Sequence, residues 1–194
     1  MDTRKTNQKL NQKNRISTPG FTLIELLVVI AILAVLAVAV TLILNPAELV
    51  KQGRDATRLS DLAMVHSAIA LYLADQLDPS FTASARCTAN GTPPSGGSCS
   101  TVTTSTAVDG TGWVNITFTN ISSGSPLSRL PLDPVNTTDW FYAFKSNTSE
   151  EYEIDTKMES TRYVSGGPSD VETTDGGNNA DWYEIGNDPG LDLW

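Results

Sequence analysis

Polar and apolar positions divide the chain into contrasting stretches. Residues 1–20 are rich in Asn, Gln, Lys and Thr, show no apolar period, and end on Pro19-Gly20. Leu26 to Leu44 then runs nineteen residues with Thr41 as its one clearly polar member. At about 1.5 Å per residue, a helix of that length matches the hydrocarbon core of a bilayer. Asn45-Pro46-Ala47-Glu48 reads as a fresh helix start: Asn as N-cap, Pro in the first turn, Glu three residues after the cap. From there to about Leu77 apolar residues recur at three- and four-residue steps: Leu49, Ala56, Leu59, Leu62, Ala63, Ile69, Ala70, Leu73 and Leu77. Lys51, Arg54, Asp55, Arg58 and Asp61 fall on the other side. The pattern predicts one long helix from Phe21 to about Leu77, interrupted or kinked near Pro46.

After Asp78-Pro79 the composition turns to Ser, Thr, Gly and Pro, and residues 79–111 read mostly as loop. Val114, Ile116 and Phe118 alternate with polar residues, Trp140 to Phe144 is aromatic-rich, and Tyr152, Ile154, Thr156 and Met158 alternate again. Each is a strand signal. A Gly-, Asp- and Asn-rich stretch over 165–181 precedes a short Trp182-Tyr183-Glu184-Ile185 segment and an acidic tail. Short strands with open faces do not bury themselves, and the apolar stripe of the helix is their partner. The expected fold is α+β. A long N-terminal helix has its first half hydrophobic and protruding, and its second half packs on a small antiparallel sheet. The expected organisation is 1–20 as a leader, 21–45 as a membrane or filament-core helix, 46–78 as an amphipathic helix, and 79–194 as loops and sheet.

Charge sharpens this picture. The first 20 residues hold Arg4, Lys5, Lys9, Lys13 and Arg15 against Asp2, a net of +4, while the rest of the chain carries −13. A body this acidic does not suit nucleic-acid binding, which needs clustered Lys and Arg. Basic residues on the N-terminal side of the apolar run predict a single-pass segment with a cytoplasmic N-terminus and an exported C-terminal bulk. Cys87 and Cys99 then lie where a disulfide persists, closing a loop rich in Gly, Pro and Ser. Glu25 is the anomaly, a carboxylate inside an apolar segment. It either serves a specific partner or snorkels to water at the membrane interface.

Pro19-Gly20-Phe21-Thr22-Leu23-Ile24-Glu25-Leu26-Leu27-Val28-Val29-Ile30 resembles the processing motif of the type IV pilin and type II secretion pseudopilin family. The resemblance implies a membrane-stored precursor. A prepilin peptidase would cut it after Gly20 on the cytoplasmic side and N-methylate the new terminal Phe21. It implies that the Phe21 amine pairs with Glu25 of an adjacent subunit, inside a polymer built on an inner-membrane assembly platform. Partners are then copies of the chain itself, the peptidase, the platform, and membrane lipid before assembly. Many members of the family carry a proline near mid-helix, where it permits local melting. Here the first proline of the helical stretch is Pro46, four positions beyond the commonest placement. Leu130-Pro131-Leu132-Asp133-Pro134-Val135-Asn136, followed by Trp140 to Phe144 and Tyr152-Glu153-Ile154, resembles the major pseudopilin pattern of a Pro-bounded turn leading into a sheet. A generic loop is the other reading.

Rival readings of the apolar run are an ordinary secretory signal cut after Ala37-Val38-Ala39 and a simple anchor for a monomeric exported binding domain. The Gly20-to-Glu25 motif favours neither. No nucleophile elbow, phosphate-binding glycine loop or metalloprotease motif occurs, so no catalytic residue is assigned and no enzyme is expected. His66, the single histidine, reads as packing. The Asn115-Ile116-Thr117 and Asn147-Thr148-Ser149 sequons read as accidents of a Thr-rich chain. Asp170, Asp175 and Asp181 supply hard oxygen donors on a flexible loop. Major pseudopilins bind calcium in a C-terminal loop of this kind; a solvated acidic loop without any cofactor is the stronger reading of the two.

Overall fold

The computed structural model describes residues 20–79 and 81–194. The chain is α+β: helix α1 (Leu23–Leu44) leads into helix α2 (Pro46–Asp75), and a five-stranded sheet follows. The strands are β1 (Ser84–Cys87), β2 (Thr101–Val102), β3 (Ala143–Ser146), β4 (Tyr152–Thr156) and β5 (Tyr183–Gly186), in the order β2-β1-β3-β4-β5. The β1–β2 pairing is parallel and the others are antiparallel. Two compact units lie along the chain, one ending at Leu44 and the other running from Asn45 to Trp194.

The predicted helix is interrupted where expected, between Leu44 and Pro46, and forms two elements. Asn45 between them adopts a left-handed backbone with φ 38°, and Pro46 has no N–H to continue the helical ladder. The Asn45 side chain makes no capping bond, contrary to the sequence reading. Glu48, expected to complete the cap, instead accepts from the backbone N–H (2.7 Å) and hydroxyl (2.8 Å) of Thr161.

The buried stripe of α2 is Asp55, Arg58, Leu62, Val65, Ala68, Ile69 and Tyr72, rotated from the expected one. Leu49 and Leu77 are exposed, as are Ala56, Ala63 and Ala70. The expectation that Asp55 and Arg58 face solvent is corrected, since both are fully buried. The apolar part of the stripe packs on the inner sheet face through Phe144, Tyr152 and Ile154. Trp113, Val114, Ile116, Phe118, Ile121 and Leu130 from the β2–β3 connection complete that core.

Val114 to Phe118 is not a strand. The segment is irregular, bridged only at Asp109–Thr117, and passes into a 3-10 turn at Phe118–Asn120. Conversely β1 and β2 arise within the stretch read as loop. Both are short; β1 pairs with β3 along its whole length, and β2 joins through Arg86 and Cys87 of β1. The outer sheet face is also covered, by a cluster of Cys87, Phe141, Ala143 and Trp182 with Cys99 and Trp194 beside it. All five residues of β4 are therefore buried, the charged Glu153 and Asp155 included.

Cys87 and Cys99 form the expected disulfide, and no free cysteine remains. Cys87 is fully buried, so the bond fastens the Thr88–Ser98 loop to the sheet. Replacing both cysteines by alanine is expected to lower the unfolding free energy by about 3 kcal/mol, the closure entropy of a loop of this size. A urea midpoint that moves by less than the equivalent of about 1 kcal/mol contradicts that assignment.

Candidate functional site

At the N-terminal end Gly20 is exposed, with nothing within 4 Å of where a side chain would begin. Phe21 is 91% exposed. The first turn of α1 is closed by its own sequence. Thr22 Oγ1 accepts from the Glu25 N–H at 3.3 Å. Glu25 Oε2 accepts in return from the Thr22 N–H at 2.8 Å and the Thr22 hydroxyl at 2.7 Å. This reciprocal pair is a capping box, which satisfies helix donors that have no partner in the ladder. The Thr-x-x-Glu spacing carries that signal in the sequence, where the oddity of a charge in an apolar run overshadowed it. Beyond Glu25 the helix is apolar on every side. The segment Leu23–Thr41 is long and apolar enough to cross a membrane, and none of it is buried.

Residues 18–41 match the prokaryotic N-terminal methylation motif. That motif is the signature of type IV pilins and pseudopilins. The match covers the N-terminal helix and not the domain that follows. No curated protein and no solved structure matches the chain significantly. The motif and its apolar helix fit a pilin-like or pseudopilin subunit held in the membrane as a precursor. The motif implies processing by prepilin peptidase and assembly into pilus-like polymers, and its family is structural rather than catalytic. Of the expected leader, 1–20, residues 1–19 lie outside the described ones.

The unit from Asn45 to Trp194 is held by a buried ionic knot that sequence reasoning missed. Arg58 donates from Nε (2.6 Å) and Nη2 (3.1 Å) to both oxygens of Asp133, and from Nη1 to Asp55 at 2.7 Å. Glu159 lies 3.5 Å from the same guanidinium and also pairs with Arg54. Burial works against the Arg58 charge, but the carboxylates of Asp133 and Asp55 more than offset it and hold its pKa above the ordinary arginine value. Asp55 also accepts from the backbone N–H groups of Glu159 (2.9 Å) and Ser160 (2.8 Å). Asp133 accepts from those of Val135 (2.8 Å) and Asn136 (3.0 Å). The Pro131-to-Asn136 turn is thus a docking element for α2. Its Pro131 carbonyl further accepts from Trp113 Nε1 at 2.8 Å.

His66 packs as expected, half-buried, with Nδ1 3.0 Å from the Tyr152 hydroxyl. Burial lowers its pKa. Both sequon asparagines donate internally, Asn115 to the Thr82 carbonyl at 2.9 Å and Asn147 to Glu151. Asp170 is spent on its own turn, accepting from Gly166 N–H (2.8 Å) and Thr173 N–H (3.0 Å). Asp175 accepts from Gly177 N–H (3.0 Å) and Glu184 N–H (2.7 Å). Among the described residues Asp170, Asp175 and Asp181 are not brought together around one point; the acidic residues that do converge are Glu153, Asp155 and Glu184.

Proposed function

We propose that the chain is the structural subunit of a type IV pilus or pilus-like filament. It is stored as a single-pass precursor with a cytoplasmic N-terminus, cut between Gly20 and Phe21, N-methylated at Phe21, and polymerised through α1. The observation that carries this reading is an exposed helix, apolar on every side, whose single charge is Glu25 one turn from the processing junction. An apolar rod of this kind is stable in lipid or in a bundle of identical rods. Its exported body faces the periplasm and then the outside, as part of a surface pilus or a periplasmic pseudopilus. The partners are other copies of the chain, the prepilin peptidase and an inner-membrane assembly platform.

In the polymer, Glu25 meets the new Phe21 amine of an adjacent subunit, neutralising both charges inside the core. Before assembly Thr22 occupies the same carboxylate, so the group is satisfied in both states. The Pro131-to-Asn136 turn, with Asp133 locked on Arg58, favours a second reading within this class, the major pseudopilin of a type II secretion system.

The experiment is N-terminal sequencing and intact mass of the protein recovered from the envelope. A chain beginning at Phe21 and heavier by one methyl group is expected. A start at Val40, after Ala39, sinks the proposal and leaves an ordinary secreted domain.

A further inference from the structure

Three carboxylates converge on the outer face of the sheet, from Glu153 and Asp155 on β4 and from Glu184, opposite Asp155 on β5. One oxygen from each lies within 4.8 Å of the other two. The three residues are 0%, 0% and 1% exposed. In each, one oxygen is satisfied. Glu153 Oε2 accepts from the Leu193 N–H at 3.0 Å, Asp155 Oδ2 from the Trp194 indole N–H at 2.5 Å, and Glu184 Oε2 from the Asn179 N–H at 3.0 Å. The other oxygen of each, Glu153 Oε1, Asp155 Oδ1 and Glu184 Oε1, is buried with no hydrogen-bond donor.

The surroundings supply no counter-charge. Among the described residues, salt bridges are made by Arg54 and Arg58 alone. Lys145, across the ladder from Glu153, holds its ammonium over the Trp194 ring, and Lys157 lies over Trp182. Asp175 and Asp188 add further negative charge nearby. Burial, then mutual repulsion, raises Asp155 well above the carboxylate range and pushes Glu184 up to about 8. Three anions are costly here unless a cation or protons join them.

We propose that Glu153, Asp155 and Glu184 ligate a hard divalent cation of the calcium type, which fastens β4, β5 and the C-terminal tail to one another. The donor set is oxygen only, without His or Cys, which excludes the softer metals. Ligands at about 2.3–2.6 Å from one Ca²⁺ are at most about 5 Å apart, the range these oxygens occupy. A dication offsets two of the three charges and gives each orphaned oxygen a partner. Glycine at 177 lets Glu184 hold this position, because a Cβ there would lie 1.9 Å from Glu184 Oε2. The site is formed by the sheet and tail, not by the Asp170 loop, and stands independently of the filament reading.

The test uses the full chain purified in detergent and stripped with EDTA. Titration with CaCl₂ at neutral pH is expected to show one bound ion per chain. With calcium about a hundredfold above Kd, the melting temperature of the domain is expected to rise by roughly 5–10 °C. Terbium should bind in place of calcium, with emission sensitised by excitation of Trp194 and Trp182 and reversed by added calcium. Asp155→Asn and Glu184→Gln should each abolish the melting shift, whereas Asp170→Asn should keep it. Should a triad variant fail to fold, wild-type stoichiometry and terbium emission still decide. Several outcomes overturn the proposal: no calcium binding at millimolar concentration, an equal response to magnesium, or a shift that survives Asp155→Asn. A domain that in EDTA is far more stable at pH 5 than at pH 8, and ignores every cation, also overturns it by showing that the triad holds protons instead.

Discussion

Substituting Glu25 by glutamine or alanine is expected to abolish filaments while the processed monomer accumulates in the membrane. Removing a charge from an apolar segment favours insertion, and no buried side chain of the C-terminal unit precedes Asp55, so neither membrane storage nor domain folding should suffer. The assembled core instead keeps a buried Phe21 amine without its carboxylate. Breaking a buried pair by deleting one member is among the costliest changes known. It recurs at every added subunit, and filament yield should fall by at least about tenfold.

The two substitutions separate the observed cap from the proposed pairing. Glutamine keeps an oxygen for the Thr22 N–H and so keeps the capping box, whereas alanine loses cap and charge together. Electron microscopy of sheared cell-surface material, with immunoblotting of the membrane fraction, provides the readout. If both variants lose filaments, the charge is the essential element. Loss in alanine alone assigns the role to the cap, and normal filaments in both discard the pairing.

Arg58→Met is expected to destabilise the C-terminal unit by about 3–5 kcal/mol, the usual cost of stripping the partner from a buried ion pair. Marginally stable domains have about 5–15 kcal/mol in all, so a large share of the population should unfold at elevated temperature. The melting temperature should fall by roughly 6–20 °C. Methionine fills much of the arginine volume, which confines the effect to charge rather than cavity. Asp55 and Asp133 retain their backbone donors but lose the cation between them. Adding Asp133→Leu to Arg58→Met should recover part of the loss, because it removes one orphaned charge. Circular dichroism melts of the single and double variants test both statements. A loss below about 1 kcal/mol for the single variant would mean that the knot matters little to stability.

The parts of the fold legible in the sequence are those where one signal acts alone. The apolar run of α1 admits no other element, and the aromatic and alternating runs mark β3 and β4, whereas β5 reads only as a short segment before the acidic tail. The existence of α2 was equally plain, but its phase was not. Hydrophobic periodicity assumes that charges face water, and Asp55 and Arg58 break that assumption: they neutralise one another within the helix, and Asp133 and the Glu159 and Ser160 N–H groups, far along the chain, complete their partners. The same assumption hid the acidic triad, since Glu153 and Asp155 alternate with Tyr152 and Ile154 like the wet side of an amphipathic strand. Only the tertiary fold lays Trp182, Trp194 and the tail over them. Val114 to Phe118 misled in the opposite way. Its apolar residues are buried as core filler in an irregular connection, and burial alone does not require a ladder. Of the candidate site, the Gly20-to-Glu25 motif was readable almost letter by letter, because contiguous residues carry it.

The order of the sheet bears on how crowded copies of this domain avoid fusing sideways. An exposed sheet edge is a template on which another chain adds a strand, and high local concentration makes that encounter frequent. The two edges here are β2, only two residues long, and β5, four residues long. Strands in stable sheets are typically about five or six residues. β2 pairs parallel to its neighbour, the less stable arrangement per residue, and its backbone leaves the sheet after Val102. β5 gives way at once to Asn187-Asp188-Pro189-Gly190, where a proline has no N–H to donate. Neither margin offers a run on which an amyloid-like ladder could start, so copies of the domain held close together are not templates for one another.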